Sequence, residues 1–358
     1  MIKIFHIISH IDIGGAEKVA YNIACSKDKD IEQHILEVAK GDSSYSMMFK
    51  SDMSNNNIKY HCSAIKNNKL AILLFPIWFF FKLLKHKPNV IHTHTEIPDL
   101  AIYLCHILFG WAFKLKYVRT IHNTQLWNGW GKIGTYVEKF FQKHKSNIAI
   151  SSSTQNSYKQ EYNKVCPIIY NGIPIVAQKK FENIISGKTN VLFAGRLEYQ
   201  KGIEQLIKSI IRLKDNDNIH FHIIGEGSLK NILISSLTIC KNFTYYEKIY
   251  NLASYLASFD FLFMPSNFEG LALMPIEAGF AKLPCIVNDC PGLGETMPIN
   301  WPLMVKNNNI DDFIEIFNNI ENYDIESLKE NIYKNANEKF SIQTMQEKYI
   351  KIYKYGIQ

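Results

Sequence analysis

The sequence lacks what several broad classes of protein require. It has no apolar run long enough to cross a bilayer: the aromatic-rich stretch Leu70 to Phe81 (LAILLFPIWFFF) is 12 residues between Lys69 and Lys82 and is interrupted by Pro76. Met1 to Ser9 (MIKIFHIIS) has no basic flank, long apolar block or small-residue cleavage site, so it reads as a first strand and the expected location is the cytoplasm. The seven cysteines, at 25, 62, 105, 166, 240, 285 and 290, are odd in number and scattered. No Cys-x2-Cys pair accompanies them, which favours reduced, buried thiols over a disulfide framework or a zinc site. No basic helix interleaved with aromatics and no zinc-finger or RNA-binding signature is present, so nucleic acid is not an expected partner.

What is present is the composition of an ordinary folded protein: 358 residues, 47% hydrophobic and 20% charged, enough for two domains with separate cores. The net charge of +7 is unevenly placed. Residues 1–170 carry 21 Lys plus Arg against 12 Asp plus Glu, and the remainder carries 19 against 21. A basic first half suits an anionic surface.

Short apolar runs ending in polar or Gly-rich turns recur between helical stretches: Ile2 to Ser9, Ile35 to Ala39, Val90 to His92, Tyr117 to Ile121, Asn147 to Ile150 and Ile168 to Tyr170. A second series follows the polar stretch Gln178 to Thr189: Asn190 to Ala194, His220 to Ile224, Phe243 to Tyr245, Phe259 to Met264 and Cys285 to Asn288. This alternation predicts parallel strands with crossover helices, arranged as two doubly wound halves with a ligand between them at the carboxyl ends of the strands. The predicted domains are 1–171 and 172–340, with a terminal helix over 341–358 returning to the first. Ser341 is its candidate N-cap, and its apolar stripe is 342, 345, 349, 350 and 353. The Leu70–Phe81 run has two readings: a core helix, or, with Lys82, Lys85, His86 and Lys87 behind it, a monotopic anchor in the headgroup region.

Two stretches carry candidate chemistry. In Phe259 to Ala278 (FDFLFMPSNFEGLALMPIEA) an apolar strand runs into a loop containing Gly270, with Glu269 and Glu277 eight apart. Pro275 fits a first helical turn, so the amides of Leu271, Ala272, Leu273 and Met274 are expected to gather at a helix N-terminus, an anion site. In Val191 to Gly202 (VLFAGRLEYQKG) a strand ending at Gly195 leaves Arg196 and Lys201 on the following loop. A guanidinium fork and an ammonium suit a diphosphate that gains negative charge as its sugar bond breaks. In the first half, Gly14 and Gly15 open a helix, and His92, His94 and His122 are expected beyond strand ends, where each serves either the site or a neighbouring backbone group.

Together, Glu269-x7-Glu277, Gly195-Arg196-Leu197 with Lys201-Gly202, Gly14-Gly15-Ala16-Glu17, Asn171-Gly172-Ile173 and Gly225-Glu226-Gly227 resemble the retaining glycosyltransferases of family 4, also called group 1. The resemblance implies the GT-B fold: two Rossmann-like, doubly wound α/β domains facing across a cleft, with the C-terminal helix crossing back. It implies that Arg196 and Lys201 hold the donor diphosphate, that Glu269 contacts the donor sugar and that Glu277 binds the ribose hydroxyls. His122 matches the family's active-site His and Gly15 its phosphate-contacting turn. Gly195, Gly225 and Gly270, with Leu271, Ala272 and Leu273, complete the donor set.

The expected reaction is transfer of a hexose or N-acetylhexosamine from a UDP-sugar, or a GDP-sugar, to a polyprenyl-diphosphate-linked glycan during bacterial surface polysaccharide assembly. The basic first domain would touch the inner face of the membrane. No metal cofactor is expected: the two Asp-x-Asp sequences, Asp28-Lys29-Asp30 and Asp215-Asn216-Asp217, lie in polar stretches ahead of strands. Glu269 is either nucleophile or orienter. The rival readings are an epimerase or hydrolase on the same fold, and a two-domain sugar-binding protein.

Overall fold

The computed structural model describes residues 1–11, 15–41 and 44–357. They form two compact units, Met1–Gly172 with Ile342–Gln358, and Ile173–Ser341.

The first unit alternates β1 (Ile2–Ile8), α1 (Gly15–Ala24), β2 (Ile31–Glu37), α2 (Ser44–Asn55), β3 (Lys59–Cys62), α3 (Asn68–His86), β4 (Val90–His94), α4 (Glu96–Phe109), β5 (Lys116–Ile121), α5 (Gly131–Lys143), β6 (Asn147–Ala149) and α6 (Ser152–Tyr162). Its six strands are ordered β3-β2-β1-β4-β5-β6 and every pairing is parallel. Such a sheet is covered on both faces. Phe5, Ile7, Leu36 and Ile91 pack beneath α3, α4 and α5 through Phe75, Phe79, Ala101 and Phe141. Each such side chain taken from water contributes roughly 1.5–3 kcal/mol. α3 begins where the Asn67 side chain accepts from the amides of Lys69 and Leu70, and ends at Lys87, which has φ +51°. The Leu70–Phe81 run therefore lies inside a helix of 19 residues, with Pro76 in its interior and one face buried.

The second unit contains β7 (Thr189–Ala194), α7 (Ile203–Arg212), β8 (Ile219–Ile224), α8 (Lys230–Ser236), β9 (Phe243–Tyr246), β10 (Phe261–Met264), α9 (Leu273–Phe280), β11 (Cys285–Asp289), β12 (Met304–Lys306), α10 (Ile310–Asn318) and α11 (Ile325–Phe340). Its sheet is again parallel, ordered β12-β11-β10-β7-β8-β9. In α7 the residues Ile203, Leu206 and Ile210 recur at helical spacing and are buried, while Glu204 and Lys208 pair on the outer side. After α11, the helix α12 (Ile342–Tyr355) belongs to the first unit, where Met345, Tyr349 and Tyr353 cover the sheet face carrying Ile4, Val90 and Val118.

The structure amends several sequence boundaries. Two short strands, β3 and β12, were not predicted. Ile168–Tyr170 is not a strand but contributes a single bridge, Ala149 with Ile168. Ser341 stands directly before α12 with an extended backbone, φ −62° and ψ +134°, at the N-cap position expected of it, and also bridges to Ile173. His92 and His94 do not follow β4 but lie within it, buried, because both faces of this parallel strand are covered.

Candidate functional site

In an open parallel sheet, ligands gather at the carboxyl ends of the strands where the strand order reverses. In the second unit that point lies between β7 and β10. The loop leaving β7 carries Gly195, Arg196, Gln200 and Lys201, and the segment leaving β10 carries Glu269 and Gly270. Lys201 Nζ donates to Glu269 Oε1 at 2.6 Å and Gln200 Nε2 donates to Glu269 Oε2 at 3.2 Å. Arg196 Nη2 in turn donates to Gln200 Oε1 at 2.9 Å. Glu269 is only 5% exposed, so this buried carboxylate is met by an ammonium and an amide while the Arg196 guanidinium stands at the rim. The structure thus brings Arg196, Lys201 and Glu269 together in one place. Gln200, which links Arg196 to Glu269, escaped the sequence reading because no motif singles it out.

Neighbouring loops hold this arrangement. Leu197 N donates to Glu226 O at 2.8 Å, and Ser228 donates through its amide and hydroxyl to the Glu198 carboxylate. Gly225 has φ +152°, and a Cβ there would lie 1.9 Å from Gly195 O. Gly202, at φ +69°, would bring a Cβ to 1.7 Å from Pro265 O. Only glycine permits these two approaches, so the Gly-Glu-Gly and Lys-Gly pairs seen in sequence are packing requirements of the site.

The expected amide cluster at α9 is partly spent. Ala272 precedes the helix as its N-cap, and its amide donates to Gly292 O at 2.9 Å, while Glu269 N donates to Pro291 O at 2.8 Å. The 290–294 loop therefore occupies one of the four amides that the sequence assigned to an anion, that of Ala272. Leu271 and Leu273 flank this position, and Glu277 is half-buried one turn beyond Leu273 in α9.

In the first unit the reversal lies between β1 and β4. Ser9 Oγ and Thr95 Oγ1 share a hydrogen bond of 2.9 Å there. Thr95 adopts φ +81°, a strained backbone for a β-branched residue. His122 follows β5, and a row of imidazoles runs inward from it. His122 Nε2 lies 3.4 Å from His94 Nδ1, His94 Nε2 lies 3.2 Å from His6 Nδ1, and His6 Nε2 lies 3.0 Å from Gln33 Oε1. Gln33 Nε2 donates to Ser26, so Gln33 presents its carbonyl to His6, which must carry its proton on Nε2. The same assignment passes outward along the row: each Nε2–H donates to the next Nδ1, leaving His122 Nδ1 as a lone pair. Gly15 opens α1 and is exposed; Gly14 lies outside the described residues.

Burial pushes His122 down to about 3 and His6 to about 4, and holds His92 and His94 well below the ordinary histidine value. His122 is therefore a neutral hydrogen-bonding group near pH 7. His222 in the second unit is likewise lowered to about 4 by burial. Each of these bases has a folded pKa below its unfolded value, so the unfolded chain binds more protons between about pH 7 and pH 4. Stability is full above that window and falls as pH drops through it. Asp99, raised to about 7 by burial, opposes the trend with one group. The five histidines, each about nine-tenths protonated in the unfolded chain near pH 5.5, less one proton for Asp99, give an expected net uptake of roughly three to four protons on unfolding, or about 5 kcal/mol lost per pH unit. Urea midpoints measured from pH 7.5 to 5 report this, and a flat profile contradicts it.

The Asp-x-Asp sequences have other surroundings. Asp28 and Asp30 lie 2.8 and 3.6 Å from Lys354 of α12, and Asp215 and Asp217 are exposed ahead of β8. Among the described residues, no helix is long and apolar enough to cross a membrane.

Comparison with known proteins places this geometry in context. Residues 13–176 match the family model "Glycosyltransferase Family 4", and residues 175–339 match "Glycosyl transferases group 1". A 41.2 kDa protein in the cps region of Klebsiella pneumoniae is 28% identical over 301 residues, covering 76% of this chain and 81% of that protein. An α-1,4-N-acetyl-D-galactosaminyltransferase of Campylobacter jejuni, whose name specifies a glycan on PP-undecaprenol, is 22% identical over 284 residues, covering 78% and 77%. The crystal structure of an Anabaena protein in complex with UDP and glucose superposes with a TM-score of 0.79 over 98% of this chain and 99% of that one. At 16% identity this last likeness is one of fold.

Proposed function

We propose, from the premise that the chain belongs to the group 1 glycosyltransferases of family 4, that it transfers a hexose or N-acetylhexosamine from a UDP-sugar, with retention, to a lipid-linked glycan in bacterial surface polysaccharide assembly. The observation that carries this reading is the Lys201–Glu269 pair at the point of strand reversal, with Arg196 linked to it through Gln200. A bound diphosphate attracts Lys201 and Arg196 and compensates them in full, which frees Glu269 to accept hydrogen bonds from sugar hydroxyls. As the glycosidic bond breaks, the two cations stabilise the charge collecting on the leaving diphosphate. On this reading the second unit carries the donor machinery, with Glu277 assigned to the ribose.

The Anabaena complex supports UDP as the nucleotide, with GDP as the alternative, and the Campylobacter relative supports a polyprenyl-diphosphate acceptor. The cps-region relative supports the polysaccharide setting. Catalysis on this reading needs no divalent ion at the donor. The test is nucleoside diphosphate release from a panel of UDP- and GDP-sugars, with and without a membrane extract as acceptor source and with and without EDTA. Acceptor-dependent release that survives EDTA supports the reading. Acceptor-independent release indicates a hydrolase instead, and activity restored only by magnesium or manganese refutes metal independence.

The acceptor's lipid implies a membrane surface at the inner face of the cell membrane, and α3 with α4 offers one. Leu73, Ile77 and Phe81 of α3, Leu108 of α4 and the following Trp111 are each more than 60% exposed. No Asp or Glu occurs between Asp52 and Glu96 or between Asp99 and Glu138, whereas Lys69, Lys82, Lys85, Lys87 and Lys114 occur there. An apolar face set among cations and free of acidic residues suits the headgroup region of an anionic bilayer. Flotation should show binding to vesicles rich in phosphatidylglycerol, weaker binding to pure phosphatidylcholine and several-fold loss in the Ile77→Glu/Phe81→Glu double variant. Equal binding by the variant and the native chain would remove this surface from the proposal.

A further inference from the structure

A second group of imidazoles stands apart from the row that ends at His122. His34 of β2, His61 of β3 and His86, the last residue of α3, each offer one ring nitrogen, and the three nitrogens lie within 4.8 Å of one another. The sheet register makes this juxtaposition. His34 pairs with Lys59 and Leu36 with His61, so His34 and His61 sit two positions apart on one face, where α3 delivers His86 above them. Phe5 forms the apolar floor, its ring centroid 4.9 Å from that of His34 and about equally far from those of His61 and His86, at 6.2 and 6.0 Å.

Three features distinguish this trio from an ordinary histidine cluster. First, the Glu32 carboxylate lies 2.7 Å from His34 Nε2, which fixes the proton there and leaves Nδ1 as a lone pair, the way a carboxylate orients a metal-bound imidazole. Second, that lone pair points to His61 Nε2 at 2.9 Å, so one shared proton joins two nitrogens that a metal ion would otherwise bridge. Third, His86 Nε2 is buried and has no hydrogen-bond partner among the described residues, an arrangement that costs free energy unless something else meets it. Burial also keeps all three rings in the neutral form a metal requires.

We propose that His34, His61 and His86 form a divalent transition-metal site of zinc type, a clamp that ties the C-terminal end of α3 to the β2–β3 edge of the sheet. Nitrogen ligands 2.0–2.1 Å from a tetrahedral zinc ion stand about 3.4 Å apart, so His34 Nδ1 and His61 Nε2, now 2.9 Å apart, open by about 0.5 Å, and the separations to His86, all within 4.8 Å, close by about 1.4 Å at most, within the reach of side-chain rotation. A solvent oxygen completes the fourth position, since His61 and His86 are only partly buried. The other trio within metal-binding distance, His6, His92 and His94, is a weaker candidate: both nitrogens of every ring already have partners, in Gln33, Tyr353, Thr120, His122 and one another. Lys82 and Lys59 stand close enough to lower the histidines electrostatically, and Glu32 offsets Lys59 at 2.7 Å. The remaining charge of Lys82 opposes a bound cation, so its removal should tighten binding.

The site is independent of the transferase reading, and its test does not use activity. The full chain, dialysed against EDTA and then into chelator-free buffer, is titrated with zinc chloride by calorimetry. One equivalent should bind and raise the thermal midpoint. Binding should weaken at least tenfold in His61→Asn and in His86→Asn, whose partly exposed positions allow folding to be confirmed by circular dichroism, and should tighten severalfold in Lys82→Gln. Absence of saturable one-to-one binding overturns the proposal, as does binding unchanged in both histidine variants. Binding abolished instead by His94→Asn assigns the ion to the other trio and overturns it equally.

Discussion

Glu269→Ala lowers acceptor-dependent nucleotide release by about two to three orders of magnitude, the loss typical when one charge-stabilising contact is removed from a transition state. Arg196→Ala and Lys201→Ala produce losses of the same order, for a different reason at each position. Arg196 is at the rim, so its removal subtracts charge from the leaving diphosphate and leaves the folded chain intact. Lys201 is the direct partner of a carboxylate that is 5% exposed, so its removal also strands Glu269 and lowers the thermal midpoint. Glu269→Gln retains more activity than Glu269→Ala if the side chain orients sugar hydroxyls, because the amide oxygen still accepts; a nucleophile would lose activity equally in both. Steady-state rates with a saturating donor, paired with melting curves for each variant, separate these effects. Full activity in Glu269→Ala and Arg196→Ala would move the donor site elsewhere.

Arg119→Met destabilises the first unit by about 3–5 kcal/mol, because it leaves two buried carboxylates without their cation. Arg119 is 1% exposed at the centre of β5. Its Nε donates to Asp99 Oδ2 at 2.7 Å, and its Nη1 and Nη2 meet the Glu138 carboxylate at 2.8 and 2.6 Å. Glu138 also accepts from Trp127 Nε1 and Tyr158 Oη, at 2.8 and 2.9 Å. Burial opposes ionisation of Glu138, but Arg119 and these two donors outweigh it and hold the carboxyl below its ordinary range. Asp99 has Arg119 as its principal compensation, and there burial prevails, raising it to about 7. The same substitution made in an Asp99→Asn/Glu138→Gln background should cost much less, since no uncompensated charge remains. Urea midpoints of the two pairs of proteins provide the comparison, and equal costs in both backgrounds would show that packing, not charge, accounts for the loss.

The long apolar strands and the loops that follow them were legible because each is a local pattern. Phe261–Met264 running into Glu269, and Thr189–Ala194 running into Arg196 and Lys201, need only neighbours in sequence to be recognised. β3 (KYHC) and β12 (MVK) were not legible, since both are short edge strands with exposed or half-exposed positions and so lack the apolar signature of the central strands. Ile168–Tyr170 has that signature but forms only a bridge at the sheet edge. The histidines of β4 were misplaced beyond the strand end because a polar residue ordinarily marks where a strand leaves the core. Here His92 is satisfied inside it by Tyr353 and Thr120, and His94 by His6 and His122.

The sequence by itself determined the two sets of alternating strands and helices, the placing of Arg196, Lys201 and Glu269 on the loops that follow two of those strands, and the glycines at 202 and 225 that let those loops close. Periodicity and turn chemistry act over a few residues and survive reading in one dimension. Only the tertiary structure decided that the Ala272 amide ahead of α9 meets the Gly292 carbonyl, that Gln200 links Arg196 to Glu269, and that Asp99, Arg119 and Glu138 share one buried network. It alone brought His34, His61 and His86 together, from positions 27 and 25 residues apart. Such groupings depend on strand register and on where a helix ends against the sheet, and these are set by the packing of the whole unit, not by any segment of it.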